Sequence, residues 1–133
     1  FSMELHDGVS NFLNVYESKY DFGILSSGNK YLIDSDLKKL GVFKYFKLII
    51  SADDTEYHKP DPRVFHSFQK HYKDLKNLEI LYIGDSIKDF QCARDAEVSF
   101  IGVCTGLHTI QDFEIQGAKA VNNIIEIPSI VNL

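Results

Sequence analysis

The sequence lacks several features that mark specialised classes of protein. Its 133 residues include only two cysteines, Cys92 and Cys104, which stand twelve positions apart with no Cys-x-x-Cys motif. This spacing favours free thiols of a reducing compartment over a disulfide, so we interpret both as packing residues. None of the eight glycines forms a Gly-x-Gly-x-x-Gly motif, which leaves dinucleotide binding without support.

Long hydrophobic runs and an excess of positive charge are also missing. The longest apolar stretches, such as residues 80–83, are the length of a strand and far below the roughly 18 residues that a membrane span requires. The first residues show neither a basic nor an apolar signal region, so we expect a cytoplasmic location. With 19 acidic and 14 basic residues, the net charge of −5 argues against nucleic acid and membranes as partners.

Short apolar runs alternate along the chain with longer segments of helical period, which is typical of α/β proteins. We predict strands at residues 22–25, 46–50, 79–83 and 100–103, and helices within residues 9–16, 30–40, 62–72 and 86–96. A short edge strand at Ala120-Val121 and a helix within residues 124–131 follow. Near-continuous apolar strands with crossover helices predict one domain over residues 1–133, built as a three-layer, doubly wound parallel sheet.

Two aspartates follow the third predicted strand. Asp85 and Asp89 are four positions apart, and they lie on one face of the next helix if it begins near Ser86. Converging carboxylates at the end of a strand suit Mg²⁺, which takes one or two protein carboxylates and completes its shell with water and phosphate. The alternative is that these residues only cap the helix and complement its dipole.

A hydroxyl-rich turn follows the first predicted strand. In Ser26-Ser27-Gly28-Asn29, a hydroxyl and successive backbone N–H groups lead into a helix, an arrangement that can cradle a phosphoryl oxygen. The same residue types are also the commonest in turns and caps, so this signal is weak alone.

Lys59 stands in a polar loop between the second and third predicted strands. Pro60 biases the lysine to extended backbone, which fixes where its stem projects. An ammonium group there could neutralise a phosphoryl oxygen and a nucleophilic carboxylate, although a lysine in a loop is usually only solvated.

These hydroxyl, ammonium and acidic groups occur in one order, each just past a predicted strand, and we expect them to gather at one edge of the sheet. Residues 24–27, 59–62 and 83–89 resemble the second, third and fourth motifs of the haloacid dehalogenase superfamily. The resemblance covers residues 7–131 and is greatest to the phosphoglycolate phosphatase-like branch.

The resemblance implies a Mg²⁺-dependent phosphohydrolase that acts on a small phosphorylated metabolite through an aspartyl-phosphate intermediate. Ser26 and Lys59 would be the catalytic residues in this chain, binding the phosphoryl group together with Ser27 and Gly28. Asp85 would bind Mg²⁺, with Asp89 completing the acidic site. Such roles suit phosphoryl transfer, which depends on positioning and charge neutralisation.

The first motif of the superfamily, Asp-x-Asp-x-Thr after an opening strand, is absent from the sequence. Asp7 does not replace it, because it stands at a helix start and not after an apolar strand. The resemblance therefore implies that the central first strand and a cap domain are missing. We expect an upstream segment or a second chain to complete the sheet, and this chain alone to show little or no activity.

Two other functions are compatible with parts of the pattern. A non-catalytic member of the same superfamily could retain the fold as a scaffold or partner-binding module. A phosphoryl-receiver domain also places Asp, Ser or Thr and Lys around Mg²⁺, but in receivers the acidic residues precede the hydroxyl, whereas here Ser26 comes first.

Overall fold

The computed structural model describes residues 8–131 and Leu133, which divide into two compact units at the peptide joining His58 to Lys59. Asp7, considered above as a nucleophile, lies outside the described residues. The expectation of one domain over residues 1–133 stays a prediction.

The first unit combines two helices with two parallel strands. Its elements are α1 (Val9–Tyr16), β1 (Phe22–Leu25), α2 (Lys30–Lys39) and β2 (Phe46–Ile50), with 3-10 turns at Phe43–Tyr45 and Ala52–Asp54. The pairing of β1 with β2 runs in parallel from Phe22 opposite Phe46 to Leu25 opposite Ile50. Because the strands are parallel, the loops that follow them leave the same edge of this sheet.

Local signals at both ends explain the bounds of α2. The Asn29 side chain caps its start by accepting a hydrogen bond from the backbone N–H of Leu32. Two lysines lie in its last turn, where positive charge complements the helix dipole. Beyond its end Gly41 has φ of 75°, the left-handed conformation that glycine adopts at low cost. The predicted helix and its glycine stop are therefore confirmed.

A stripe of apolar side chains holds the first unit together. Ile33 and Leu37, one helical turn apart on α2, are buried with Leu13, Val42 and Tyr45. The Tyr45 hydroxyl remains satisfied because it donates a hydrogen bond to Asn14 Oδ1 at 3.4 Å. This packing anchors α1 and α2 beside the short sheet.

The second unit contains three parallel strands and four helices within its described part. Its elements are α3 (His66–His71), β3 (Leu81–Gly84), α4 (Ile87–Asp95), β4 (Ser99–Val103), α5 (Ile110–Ile115), β5 (Ala120–Val121) and α6 (Ile127–Ile130), with 3-10 turns at Pro62–Phe65, Asn77–Glu79 and Ile124–Glu126. The strand order is β3-β4-β5. In the described ranges no helix is long and apolar enough to cross a bilayer.

Parallel strands with intervening helices confirm the predicted α/β class. The third strand starts later than predicted, because residues 77–79 form a 3-10 turn in which Glu79 Oε1 accepts the N–H of Lys76. The helix α5 was not predicted at all, since its six residues carry too short an apolar pattern to reveal a helical period. The tail prediction holds for β5 and partly for the closing helix, where only four residues are α-helical.

Aromatic rings fill the core of the second unit. Phe100 on β4 lies between Phe90, with ring centroids 5.5 Å apart, and Phe113, at 6.0 Å. Phe113 is completely buried and packs with Ala118 in the same cluster. Its ring lies against the backbone of Gly102, where a side chain would occupy the same space.

Both cysteines are free thiols, as the sequence predicts. Cys92 is completely buried, and burial raises the pKa of its thiol to about 11, so the thiol stays protonated at neutral pH. Cys104 is partly buried and packs against the aromatic cluster. The interpretation of these residues as packing residues agrees with their environment.

We expect Gly102→Ala to destabilise the protein, because the new methyl group would lie 2.9 Å from three ring carbons of Phe113. Overpacking of this kind costs about 1–3 kcal/mol, measurable by urea denaturation. Phe113→Leu provides the matched test, since a smaller side chain should relieve the clash and make the double variant less unstable than the sum of the single variants. A Gly102→Ala variant as stable as the parent would contradict this packing.

Candidate active site

Polar loops follow β1 and β2 at the carboxyl edge of the first sheet, where parallel sheets bind ligands. The N–H of Ser26 donates to the carbonyl of Ile50 at 2.9 Å, which extends the strand pairing by one residue. The N–H of Ala52 donates to the carbonyl of Gly28 at 3.1 Å. These bonds hold the two loops together.

The loop after β1 forms a tight turn ahead of α2. The Ser26 hydroxyl accepts the N–H of Gly28 at 3.1 Å, while the residues of this turn beyond Ser26 are exposed. Asn29 then begins the helix. The structure thus brings Ser26, Ser27 and Gly28 into one turn at a helix N-terminus, the arrangement from which an anion cradle was predicted.

The loop after β2 contains a polar network around one buried serine, which the sequence analysis did not identify. Ser51 is completely buried, and both its N–H and its hydroxyl donate to Asp54 Oδ2 at 2.9 Å. Asp53 Oδ2 accepts the N–H of Lys30 at 3.0 Å and so links this loop to the start of α2. A serine three residues before an aspartate, directly after a strand, was the available signal.

These contacts affect the charge state of Asp54. The Ser51 N–H holds the pKa of the Asp54 carboxyl below its usual value, with smaller support from the Ser51 hydroxyl and the Lys30 ammonium 3.8 Å away. Hydrogen bonds to a carboxylate favour its ionised form. The loop is therefore held best while Asp54 is negatively charged.

In the second unit, Lys59 forms an ion pair with Asp89. The Lys59 ammonium lies 2.9 Å from Asp89 Oδ1, and the two side chains are 20% and 8% exposed. Lys59 is joined to Pro60 by a cis peptide bond, and Asp61 caps the 3-10 turn that follows. Because of its ion pair and its 20% exposure, the lysine is a restrained, partly buried group and not a solvated loop residue.

Asp89 accepts hydrogen bonds on both carboxylate oxygens. Oδ1 accepts the Tyr82 hydroxyl at 3.1 Å as well as the Lys59 ammonium, and Oδ2 accepts the N–H groups of Asp85 and Ser86, each at 3.2 Å. The Ser86 hydroxyl in return accepts the N–H of Asp89, which completes a capping box at the start of α4. Asp89 therefore caps the helix and holds the lysine at the same time.

The backbone at Gly84 makes room for this carboxylate. A methyl group at Gly84 would lie 2.6 Å from Asp89 Cβ and 2.7 Å from Oδ2. Side chains do not approach so closely, so any residue other than glycine would displace Asp89.

Burial opposes the charge on Asp89, but its partners outweigh burial. Burial alone would raise the pKa of the carboxyl, whereas the Lys59 hydrogen bond and charge, followed by the Ser86 and Tyr82 hydrogen bonds, bring the pKa below its usual value. Burial and the neighbouring Asp89 carboxylate raise the pKa of Tyr82 well above its usual range. The tyrosine therefore keeps its proton and donates it in the hydrogen bond to Asp89.

Asp85 is the remaining acidic residue of this group. It is exposed at the end of β3, and its carboxylate makes no hydrogen bond within the described part of the chain. A methyl group at Gly106 would lie 3.1 Å from Asp85 Oδ2, so the loop after β4 runs beside this carboxylate. An exposed carboxylate with free oxygens fits one ligand position of Mg²⁺, which accepts a single protein carboxylate and several waters.

The structure thus brings Lys59, Asp85 and Asp89 together in the second unit, and the three phosphate-binding candidates Ser26, Ser27 and Gly28 together in the first. Among the described residues no group of three or more His, Cys, Asp or Glu side chains could hold a metal ion by itself. That Asp85 and Asp89 bind Mg²⁺, and that the two sets of residues share one phosphate, stay predictions. Sequence reasoning missed Tyr82, because a tyrosine within an apolar run is typical of a strand.

The chain is similar to known hydrolases and phosphatases. The sequence model of the haloacid dehalogenase-like hydrolases matches residues 2–103. A pyrophosphatase PpaX from Listeria monocytogenes is 31% identical over 99 residues, 74% of this chain and 45% of its own length. A phosphoglycolate phosphatase from Nitrosococcus oceani is 27% identical over 130 residues, 96% of this chain and 57% of its own length.

A solved structure shows the same fold. The crystal structure of a haloacid dehalogenase-superfamily hydrolase from Ehrlichia chaffeensis matches 98% of this chain and 60% of its own chain, with 24% identity and a TM-score of 0.79. The chain belongs to the haloacid dehalogenase-like hydrolase family. It spans about half the length of the two curated relatives.

We expect Asp54→Asn to destabilise the protein at neutral pH by about 0.5–1 kcal/mol, the usual effect of a weakened cap. Because the folded-state pKa of Asp54 is lowered, its stabilising contribution is present above the unfolded pKa of about 4 and is lost as the pH falls through the folded pKa. Urea denaturation at pH 7 and pH 3 should therefore show a difference between variant and parent that shrinks in acid.

Glu56→Gln is the control for this pH dependence, because Glu56 is an exposed carboxylate without a hydrogen bond to the described residues. It should change stability little at either pH. An equal loss of stability for Asp54→Asn at both pH values would show that charge on Asp54 is not what holds the loop.

A double-mutant cycle of Lys59→Met and Asp89→Asn should give a coupling energy of about 1–3 kcal/mol, because both partners of this ion pair are largely buried. The same cycle on Arg94 and Asp95, which pair at 2.9 Å but are about half exposed, is the control and should give below about 1 kcal/mol. Equal coupling energies in the two cycles would contradict the strength assigned to the Lys59–Asp89 pair.

Proposed function

We propose that this chain is part of a Mg²⁺-dependent phosphohydrolase that acts on a small phosphate monoester. The observation that carries the proposal is the group formed by Lys59, Asp85 and Asp89 at the carboxyl end of β3. It combines a held ammonium group with a carboxylate that is free of hydrogen bonds to the described residues. Membership of a hydrolase family supports the same chemistry.

Each residue of the group has a separate task in this proposal. Lys59 donates N–H bonds to the phosphoryl oxygens and offsets their charge, while Asp89 keeps the ammonium in place. Asp85 would hold Mg²⁺ directly, and Asp89, whose oxygens already accept four hydrogen bonds, adds negative charge beside it. When bound, Mg²⁺ supplies neutralisation of phosphate charge and orientation of the substrate.

The residues of the first unit supply hydrogen bonds to the same type of ligand. Ser26 can donate its hydroxyl proton to a phosphoryl oxygen while it still accepts the N–H of Gly28. The N–H of Ser27, in the exposed part of this turn, adds a further donor ahead of α2, whereas the N–H of Gly28 is already bonded to the Ser26 hydroxyl. Such donors stabilise the charge that is spread over the phosphoryl oxygens during transfer.

The covalent step requires a nucleophile, and the sequence lacks the Asp-x-Asp-x-Thr motif that would carry it. We propose that an aspartate outside residues 1–133, on an upstream segment or a second chain that completes the sheet, attacks phosphorus as the ester P–O bond breaks, and the departing oxygen takes up a proton from solvent to leave as an alcohol. Water then attacks the aspartyl phosphate and loses a proton to solvent, which releases inorganic phosphate and restores the carboxylate. The length of the curated relatives, about twice that of the matched chain, supports a contribution from outside it.

The proposal predicts different activities for two proteins, the 133-residue chain and the complete product of its gene. Hydrolysis of p-nitrophenyl phosphate with Mg²⁺ should be absent or nearly so for the chain. The gene product should turn the substrate over, and Asp85→Ala or Lys59→Ala should lower kcat by about a hundredfold or more, the effect of losing a charged transition-state contact.

Leu78→Ala, a change of an exposed leucine, serves as the control and should leave turnover unchanged. Robust turnover by the 133-residue chain, lost in Asp85→Ala, would show that the nucleophile lies within it. A gene product inactive on a panel of phosphate monoesters would favour the non-catalytic scaffold.

A further inference from the structure

Tyr82 lies at the second position of β3, and it contacts both members of the Lys59–Asp89 ion pair. Its hydroxyl donates to Asp89 Oδ1 at 3.1 Å, and the same oxygen accepts the Lys59 ammonium at 2.9 Å. The Tyr82 hydroxyl and the Lys59 ammonium therefore donate hydrogen bonds to the same carboxylate oxygen. Neither the sequence motifs nor the proposed function accounts for this tyrosine.

The tyrosine ring is itself fixed by its neighbours. Phe65 packs against it edge to face, with ring centroids 5.1 Å apart, and Phe100 lies at 6.1 Å. The Lys59 ammonium lies 5.5 Å from the centroid of the same ring, within the range of a cation–π contact. Lys59 is thus held by a carboxylate and by an aromatic ring, both immobilised by the core.

An ammonium group needs such restraints if its N–H donors are to point in one fixed direction. Lysine carries three N–H donors on a flexible four-carbon stem, so a single ion pair leaves the group free to turn. A second contact, from the Tyr82 ring, restricts that rotation. The hydroxyl also fixes the position of the carboxylate oxygen around which the ammonium would turn.

We propose that Tyr82 is a positioning residue for Lys59: its hydroxyl fixes Asp89 Oδ1 and its ring restrains the ammonium, so that the free N–H donors of Lys59 face a phosphoryl oxygen. The last part of this inference rests on the proposed function. The contacts among Tyr82, Asp89 and Lys59 do not.

The first test uses Tyr82→Phe, which removes the hydroxyl but keeps the ring and its packing. The ¹⁵N-labelled lysine ammonium signals of the chain are recorded by NMR, and the signal of Lys59 is assigned by its loss in Lys59→Met. In Tyr82→Phe, exchange of the Lys59 ammonium protons with water should rise about threefold to tenfold, the effect of one hydrogen bond.

Tyr45→Phe is the matched control, because Tyr45 is a buried tyrosine of the other unit whose hydroxyl also donates to a side-chain oxygen, that of Asn14. It removes a comparable hydrogen bond and should leave the Lys59 signal unchanged. If the Tyr82 hydroxyl had a purely structural role, the exchange rate of the Lys59 ammonium protons would stay unchanged in both variants. An unchanged Lys59 exchange rate in Tyr82→Phe therefore overturns the proposal.

The second test measures binding of inorganic phosphate to the complete gene product in the presence of Mg²⁺, by calorimetry. Tyr82→Phe should weaken phosphate binding about threefold to tenfold and leave Mg²⁺ affinity unchanged, since the hydroxyl acts through Lys59 and not on the metal. Unchanged phosphate affinity beside an altered ammonium signal would overturn the proposal. If the parent protein binds no phosphate, the proposed function fails, and the ammonium signal alone decides whether Tyr82 positions Lys59.

Discussion

The Asp89 carboxylate accepts four hydrogen bonds from three segments of the second unit. The donors are the Lys59 ammonium in the loop before Asp61, the Tyr82 hydroxyl on β3, and the two N–H groups at the junction of β3 and α4. A buried carboxylate is costly unless it is paired and hydrogen-bonded, and these donors satisfy both needs. The position of the lysine, the start of α4 and the direction of the Asp85 backbone all depend on this one group.

The capping motif that includes Asp89 recurs along the chain. A serine or threonine exchanges hydrogen bonds with an aspartate three residues later, and both ends of the pair cap the helix or 3-10 turn that begins there. The pairs are Ser51 with Asp54, Ser86 with Asp89, and Thr109 with Asp112. Only Asp89 among these aspartates also accepts a tyrosine hydroxyl and a buried lysine in the described structure. The extra partners distinguish this copy of the cap from the other two, because through them the cap also holds a lysine and a tyrosine.

The sequence predicted much of the fold, because local signals determine it. The strand β1 and the helix α2 have clear apolar patterns and strong turn or cap residues at their ends, and their observed bounds agree with the prediction to within one residue. The helix α5 is only six residues long and was missed. Short elements depend on packing against the rest of the unit more than on their own pattern.

The candidate site was predictable in its residue types and not in its contacts. Lys59 and Asp89 were both selected from motifs, but their pairing joins positions 30 residues apart and follows from tertiary structure alone. Asp89 was expected either to serve the metal or to cap the helix; the structure shows the cap, and it adds hydrogen bonds from Tyr82 and Lys59 that the spacing does not reveal. Tyr82 has no polar sequence context, so its hydroxyl bond to Asp89 could be found only from coordinates.

The close approach of Asp89 to the backbone at Gly84 also constrains how the sequence can diverge. The two positions are five residues apart and physically share one small volume, since a methyl group at Gly84 would overlap the aspartate. A descendant that kept the acid could not accept alanine there, whereas one that had already lost the acid could. Substitutions at these two positions therefore have a fixed order: Asp89 must change to a smaller residue before Gly84 can be replaced.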